Sequence, residues 1–152
     1  MAVRFTDQHA LALVAPSLYP GEQILFRARG FEKPWYSYLF LRLGAFLWRY
    51  WLVVATNQRV LFVQHAGLLG GHAAKRTEAF AWSELDHVRV GWGIFTRKLV
   101  AKVSGRGRRA PAVVIPRGWM RGNFAAAEGM ARHSSSAAFG AGARSPARSS
   151  TL

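Results

Sequence analysis

The stretch Tyr50–Gln64, YWLVVATNQRVLFVQ, decides the fold, because two apolar runs are separated in it by a short polar turn. Both runs are rich in the β-branched and aromatic residues that favour strands. The turn between them is Thr56-Asn57-Gln58-Arg59, in which Asn57 can accept the left-handed conformation that some turns demand. We therefore predict a β-hairpin in which Arg59 is a packed, hydrogen-bonded brace. A turn that contacts a ligand is the less favoured alternative.

Further strand patterns lie on both sides of this hairpin. In residues 22–30, Ile24, Phe26 and Ala28 alternate with mostly polar neighbours, as in a half-buried strand. Other strands are predicted at residues 77–82, 86–92, 95–104 and 110–116. With the two strands of the hairpin this makes seven, and their turns are spaced as in an all-β barrel or sandwich.

Helices are predicted near both ends of the strand region. Residues 6–15 form a short helix that is capped by Thr6-Asp7 and ended by Pro16. An Ala-rich helix follows over residues 124–132, with Asn123 as its candidate N-cap. Its buried stripe is expected to consist of Phe124, Ala127 and either Met130 or Ala131.

Composition narrows the class of protein. A chain of 152 residues has room for one domain, and the absence of cysteine excludes a disulfide scaffold, a cysteine-based zinc site and thiol catalysis. Twenty-one Lys and Arg stand against seven Asp and Glu, which gives a net charge of +14 and favours an anionic partner. Most of these bases are Arg, and with abundant Ala and Gly this indicates codon bias, so the charge alone overstates a binding face.

Three stretches resemble the bacterial pleckstrin-homology (PH) domain family. Residues 51–63, WLVVATNQRVLFV, are similar to its central hairpin, and residues 18–30, LYPGEQILFRARG, to its Pro-Gly-Glu segment followed by a strand. Residues 80–103 carry a similar Trp-Ser-x-Leu-x-x-Val pattern from Trp82 onward. The resemblance covers residues 18–132. It implies a mainly β fold, a PH-like split barrel of about seven antiparallel strands that a C-terminal helix plugs at one end.

The resemblance, the helix pattern before residue 18 and the composition after residue 133 together give the expected domain limits. Residues 1–17 would be an N-terminal helical extension, 18–133 the PH-like domain with an aromatic insertion at 34–49, and 134–152 a disordered tail of small and polar residues. The insertion is longer and more aromatic than the usual link between the first two strands. The paired Lys and Arg that eukaryotic relatives use for inositol phosphates are absent, so the resemblance supports the fold rather than phosphoinositide binding.

The turn Gly105–Arg109 is the first candidate binding site. Its side chains Arg106, Arg108 and Arg109 place three guanidinium groups on one tip, where they could form bidentate bonds to phosphate or anionic lipid. The alternative is an ordinary solvated turn.

The aromatic segment 35–51 is the second candidate. If it is helical, Arg42 and Arg49 share one face, and the interaction patch would consist of Trp35, Tyr38 and Trp48. Such a surface suits anionic lipid, a protein partner or self-association, whereas a buried strand pair is the structural alternative. Residues 35–55 are also long enough to cross a bilayer, although two internal arginines oppose insertion.

Catalysis has little support. Ser83, Glu84, Asp86 and His87 are close in sequence, but alternation along a strand sends neighbours to opposite faces. The histidines show no metal-ligand spacing, and Gly91-Trp92-Gly93 lacks the third glycine of a dinucleotide loop, so we assign it to a turn. We therefore expect no enzyme activity, no cofactor and no metal.

The sequence thus predicts a non-catalytic binding or scaffolding module. Peripheral association with an anionic membrane is the leading hypothesis, and a protein-interaction module that self-associates through residues 35–51 is the alternative. Nucleic-acid binding is least favoured, because it rests on charge alone. Without a recognisable secretory signal the expected location is the cytoplasm, with membrane association at the inner face.

Overall fold

The computed structural model describes residues 7–33, 48–66, 73–105 and 107–142, with side chains as far as residue 137. In these ranges the helices are α1 (Asp7–Val14), a 3₁₀ turn (Ala15–Ser17), a second 3₁₀ turn (Trp82–Glu84) and α2 (Asn123–Gly142). The strands are β1 (Ile24–Glu32), β2 (Arg49–Thr56), β3 (Arg59–His65), β4 (Ala74–Ala81), β5 (Leu85–Val90), β6 (Thr96–Val103) and β7 (Val113–Pro116).

The seven strands form one antiparallel sheet in the order β4-β3-β2-β1-β7-β6-β5. Strands β1 and β7 pair through Phe31 and Val114 alone, so the sheet consists of two halves that meet at one place. Helix α2 contacts β1, β5 and β7 and therefore spans both halves. The predicted mainly β fold with seven antiparallel strands and a C-terminal helix is confirmed.

Strand β2 is buried on both faces, which explains why its sequence is a continuous apolar run. Trp51, Val53 and Ala55 face the inner core, which includes Phe62, Phe80, Leu99, Ile115, Ala127 and Met130. Leu52 and Val54 face a second cluster on the outer side, whose other buried members are Ala10, Leu13, Val14, Leu61, Val63 and Met120.

Helix α1 supplies the cover for this outer face. Its Ala10, Leu13 and Val14 are buried against β2 and β3, and Asp7 forms a salt bridge of 3.1 Å with Arg27 of β1. Helix α1 is therefore part of the same folded unit, since without it four large side chains of the outer sheet face would meet water.

A register shift between Ile24 and Phe26 corrects the alternation predicted for β1. The extra residue turns Ile24 toward the outer cluster, whereas Phe26 and Ala28 face the inner core. A strict period of two would have placed all three side chains on one face.

The start of α2 also differs from the prediction. Asn123 does not cap the helix with its side chain, because its Oδ1 accepts from the backbone N–H of Arg29 at 2.7 Å. Its Nδ2 donates to the carbonyls of Arg29 and Pro116 at 2.8 and 2.7 Å. The residue instead fastens α2 to β1 and β7. The stripe of Ala127 and Met130 is buried as expected, with Phe124 partly buried against the core.

Helix α2 continues to Gly142, so the prediction of a disordered tail from Ser134 is wrong for residues 134–142. Ser134 is buried: its hydroxyl donates to the carbonyl of Ala131 at 2.8 Å and accepts from the N–H of Val88 at 3.1 Å. Such back-bonding lets small polar residues remain inside a helix. Residues 143–152 lie outside the described residues.

A membrane-spanning helix over residues 35–55 is excluded, because β2 begins at Arg49 and pairs with both β1 and β3. Arg49 is therefore a strand residue and cannot share a helical face with Arg42. Residues 34–47 lie outside the described residues. Among the helices of the described ranges, none is long and apolar enough to cross a bilayer.

Candidate anion-binding groove

The polar turn of the hairpin is a structural element. The carboxylate of Glu22 is fully buried and accepts from Arg59 Nε and Nη at 2.9 Å each, and from the hydroxyl of Thr56 at 2.7 Å. These bonds lower the pKa of Glu22 from 4.5 to about 2, the bond from Arg59 being the largest cause. Arg59 also donates to the carbonyl of Ser17 at 2.6 Å, so its guanidinium joins three groups of the corner, and its predicted bracing role is confirmed.

Asn57 secures the same corner, but not in the conformation expected. No described residue other than glycine has a positive φ, so Asn57 is not left-handed. Its N–H donates to the carbonyl of Gln23 at 3.0 Å, and its Oδ1 accepts from the N–H of Gln23 at 3.1 Å. The Pro-Gly-Glu segment and the Thr-Asn-x-Arg turn are therefore two halves of one hydrogen-bonded corner.

Trp82, which follows β4 directly, also joins this corner. Its indole N–H donates to the carbonyl of Thr56 at 2.9 Å, and its ring meets His133 of α2 edge-on at 4.7 Å. Leu85 and Val88, at the apolar positions of the Trp-Ser-x-Leu-x-x-Val pattern, are buried in the inner core. These three motifs therefore act in packing rather than in ligand contact.

The outer face of β5 and β6 carries the candidate site. Lys98, Val100 and Lys102 alternate with the buried Leu99 and Ala101, so they point away from the core. On the neighbouring strand Arg89 pairs with Val100, and His87 pairs with Lys102. The strand register thus gathers three bases and a histidine on one surface.

The loop between β6 and β7 turns this surface into a groove of about 850 Å³. From the loop come Gly105, Gly107, Arg108, Arg109 and Ala110. Among the described residues that line the groove there is no carboxylate, and apolar groups such as Val100 and Val103 are present. Five lining side chains are basic: Arg89, Lys98, Lys102, Arg108 and Arg109. A pocket of this size and charge fits phosphate-bearing groups.

The predicted tip residues have different surroundings. Arg108 folds back, since its guanidinium donates to the carbonyl of Ala79 at 2.9 Å and to Glu84 at 3.3 Å, and lies 4.7 Å from the ring centre of Phe80. Arg109 is exposed on the groove, and Arg106 lies outside the described residues. The loop is therefore held against β4 by Arg108, while Arg109 remains directed to solvent.

Every carboxylate side chain of the protein forms a salt bridge with a different base. The seven pairs are Asp7–Arg27, Glu22–Arg59, Glu32–Arg49, Glu78–Arg76, Glu84–Arg108, Asp86–Lys102 and Glu128–Arg97. The net charge of +14 therefore belongs to the remaining Lys and Arg. Arg89, Lys98 and Arg109 are in this remainder, so three bases of the groove have no carboxylate against them among the described residues.

The second candidate site is only partly visible. Arg49 is half-exposed and 3.9 Å from Glu32, and Trp48 stacks on Phe31 with ring centres 4.4 Å apart. The ring of Trp119 is tilted against that of Phe31, with ring centres 5.1 Å apart. Trp35, Tyr38 and Arg42 lie outside the described residues, so the proposed patch 35–51 stays a prediction.

Three groove residues were missed at the level of sequence: Arg89, Lys98 and Lys102. Lys98 and Lys102 flank Val100 at a spacing of two, opposite in phase to Leu99 and Ala101, which is the alternation of a two-faced strand. That signal is readable from the sequence. The pairing of Arg89 with Val100 cannot be read from the sequence, because it depends on the register of β5 and β6.

The cluster around Asp86 is occupied by local contacts. The hydroxyl of Ser104 donates to its carboxylate, and Lys102 lies 3.5 Å away. The hydrogen bond from Ser104 is the main cause that lowers the pKa of Asp86. Within the described ranges no group of three His, Asp or Glu side chains is placed to hold a metal ion.

No known family model matches the chain, and no curated protein matches it either. Among solved structures it is similar to the N-terminal PH domain of Vps36, with a TM-score of 0.46 and 14% identity, covering 78% of this chain and 83% of that one. A pleckstrin homology domain from Shewanella amazonensis gives a TM-score of 0.37 and 19% identity, covering 71% and 81%. Seven antiparallel strands in the order β4-β3-β2-β1-β7-β6-β5, with a C-terminal helix across both halves, give this chain a PH-like fold.

Proposed function

We propose that this protein is a non-catalytic binding module that docks on an anionic membrane surface through the groove of β5, β6 and the loop 105–110. The observation that carries the proposal is the set of five groove bases with no carboxylate in the lining. Two of these bases, Lys102 and Arg108, are paired with Asp86 and Glu84 at the rim, whereas Arg89, Lys98 and Arg109 have no carboxylate against them among the described residues.

The binding free energy expected from the groove bases supports reversible docking. A Lys or Arg near an anionic leaflet contributes about 1 kcal/mol, so Arg89, Lys98 and Arg109 together would contribute about 3 kcal/mol. That energy falls with salt, because the attraction is screened over a Debye length of about 8 Å at physiological ionic strength. The protein would therefore bind and release according to lipid charge rather than remain anchored.

The test is vesicle flotation with a charge-matched pair of variants. Arg89→Glu/Lys98→Glu reverses two groove bases, and Lys75→Glu/Arg132→Glu makes the same change in net charge at exposed positions of β4 and α2. We expect the groove variant to lose binding to phosphatidylglycerol vesicles by about 30-fold or more. The control variant should bind nearly as the native protein does.

Three results would overturn the proposal. The native protein could ignore anionic vesicles at low salt, bind neutral and anionic vesicles equally, or lose the same affinity in both double variants. The last result would assign the attraction to overall charge, which is also the behaviour of a non-specific nucleic-acid binder.

A further inference from the structure

The loop between β5 and β6 exposes an unusual amount of apolar surface. Trp92 is 87% exposed, Phe95 80% and Ile94 58%. Among the described residues only four other large apolar side chains are exposed, and one of these, Val100, lines the groove beside the loop. Folded proteins rarely leave a tryptophan and a phenylalanine this bare unless something else covers them.

Two backbone hydrogen bonds brace this loop despite its exposure. The N–H of Gly91 donates to the carbonyl of Lys98 at 2.8 Å, and the N–H of Arg117 donates to the carbonyl of Phe95 at 2.9 Å. Between them the chain turns tightly at Gly93, where a Cβ would lie 1.9 Å from the carbonyl oxygen of Thr96. The backbone is therefore held in place while its apolar side chains project into solvent.

Basic residues flank the loop on both sides. Lys98 and Arg89 lie on the outer face at its base, and the exposed Arg117 is bonded to its end through the backbone. The carboxylate of Glu128 in this region is paired with Arg97. An apolar loop flanked by basic residues complements an anionic bilayer, in which hydrocarbon lies beneath a layer of negative headgroups.

We propose that the loop Gly91–Phe95 is a wedge that inserts Trp92, Ile94 and Phe95 into the interfacial region of an anionic membrane. The inference rests on the proposed docking function and adds to it the depth and orientation of binding: the groove bases contact headgroups while the loop reaches the acyl boundary. Tryptophan prefers that boundary, since its ring is apolar and its N–H can remain near water.

The experiment compares native protein with Trp92→Ser/Phe95→Ser on vesicles of phosphatidylcholine mixed with phosphatidylglycerol. We expect the double variant to bind at least tenfold more weakly, because affinity scales with the apolar area that enters the membrane. The loss should be greatest at high salt, where the electrostatic share is screened. Leu11→Ser/Leu25→Ser, which removes two exposed apolar side chains from α1 and β1, should bind as the native protein does.

Depth is measured separately with phosphatidylcholine and phosphatidylglycerol whose acyl chains are brominated. Bromine should quench part of the tryptophan fluorescence of the native protein and much less in Trp92→Phe, which keeps an apolar side chain at that position. If Trp92→Phe still binds the vesicles, the lower quenching reports the loss of a tryptophan within the membrane and not the release of the protein from it.

The outcomes separate the wedge from the groove. If Trp92→Ser/Phe95→Ser binds as the native protein does while Arg89→Glu/Lys98→Glu does not, the wedge is wrong and electrostatic docking stands. If the native protein binds no vesicle, both proposals fail. If the loop variant instead lowers the mass of the protein in lipid-free solution, the loop is an interface with a second copy, and the wedge is overturned.

Discussion

The buried carboxylate of Glu22 and the guanidinium of Arg59 form a two-point ion pair, with both N–O distances at 2.9 Å. Glu22 comes just before β1 and Arg59 begins β3, so the pair joins chain segments that β2 separates in the sheet. The ring of Tyr19 lies 3.7 Å from the guanidinium carbon and shields it from water. The corner therefore contains a charge pair with almost no access to solvent.

Glu22 should make stability depend on pH in the acid range. Its pKa is about 2 in the folded protein against about 4.5 in the unfolded chain, so its stabilisation is complete above about pH 4.5 and is lost as the pH falls toward 2. That difference corresponds to about 3 kcal/mol. In urea unfolding at a series of pH values, Glu22→Gln should be much less stable than the native protein at pH 7, and the two should converge near pH 2.

A control for this prediction is Glu128→Gln, whose side chain is half-exposed in its pair with Arg97. Exposed pairs contribute about 1 kcal/mol or less, so this variant should follow the native pH dependence closely. A Glu22→Gln protein with the full native acid sensitivity would show that other groups cause it.

Gly30 should tolerate no side chain. A Cβ at this position would lie 2.4 Å from the carbonyl oxygen of Val114 and from Val113 Cγ1, where β1 pairs with β7. Gly30→Ala is therefore expected to lower the free energy of unfolding by about 1–3 kcal/mol. Gly118→Ala is the matched control, because its Cβ would meet nothing within 4 Å. Equal unfolding midpoints for the two variants would contradict this account.

Asn123 should be hard to replace. Truncation to Ala leaves three partly buried backbone groups of Arg29 and Pro116 without this partner, at a cost of about 1–3 kcal/mol. Asn123→Asp should be worse at pH 7 than at pH 4, because a carboxylate there would face two carbonyl oxygens and only a protonated acid can donate to one. Denaturant unfolding at the two pH values measures the difference. An Asp variant with the same relative stability at both would count against the bonding scheme.

Adjacent arginines in the β6–β7 loop should separate stability from binding. Arg108→Ala is expected to lose about 1 kcal/mol of stability through its bond to Ala79 and its contact with Phe80. Arg109→Ala should leave the unfolding free energy within about 0.5 kcal/mol of native but weaken vesicle binding. Thermal unfolding and flotation on the same two variants give the comparison, and reversed roles would refute it.

Trp48 tests the alternative of self-association through residues 35–51. If that segment is an interface, Trp48→Ser should shift the protein toward monomer in light scattering after size exclusion. Because Trp48 also stacks on Phe31, circular dichroism must first show that the sheet is retained. Unchanged mass and dispersity would remove this segment as the interface.

Much of the strand arrangement could be predicted from the sequence, because the patterns that indicate each strand are local. The hairpin at Thr56–Arg59 has strong strand formers on both sides, and β5, β6 and β7 lie within a few residues of their predicted bounds. The double burial of β2 was not accessible, since a run apolar on both faces does not say what covers each face. Only the folded chain places α1 over Leu52 and Val54.

The candidate site was harder to predict from the sequence, for a related reason. Arg108 and Arg109 are neighbours of the same type, and only the approach of β4 makes the first a structural residue and the second a surface one. Asn123 looked like an N-cap because it precedes a helix, yet the nearby edge of β1 offered its amide better partners. In both cases contacts distant in sequence outweighed local propensity.

The single pairing of Phe31 with Val114 has a consequence for how the protein opens. The amide protons of β2 and β3 lie within a continuous ladder, whereas the junction of β1 with β7 is held by a single strand pairing and by side-chain packing across it. Native-state hydrogen exchange should therefore resolve two cooperative units, β1–β4 and β5–β7, rather than one. We expect loosening of α2 to precede this opening, because the helix contacts β1 in one unit and β5 and β7 in the other.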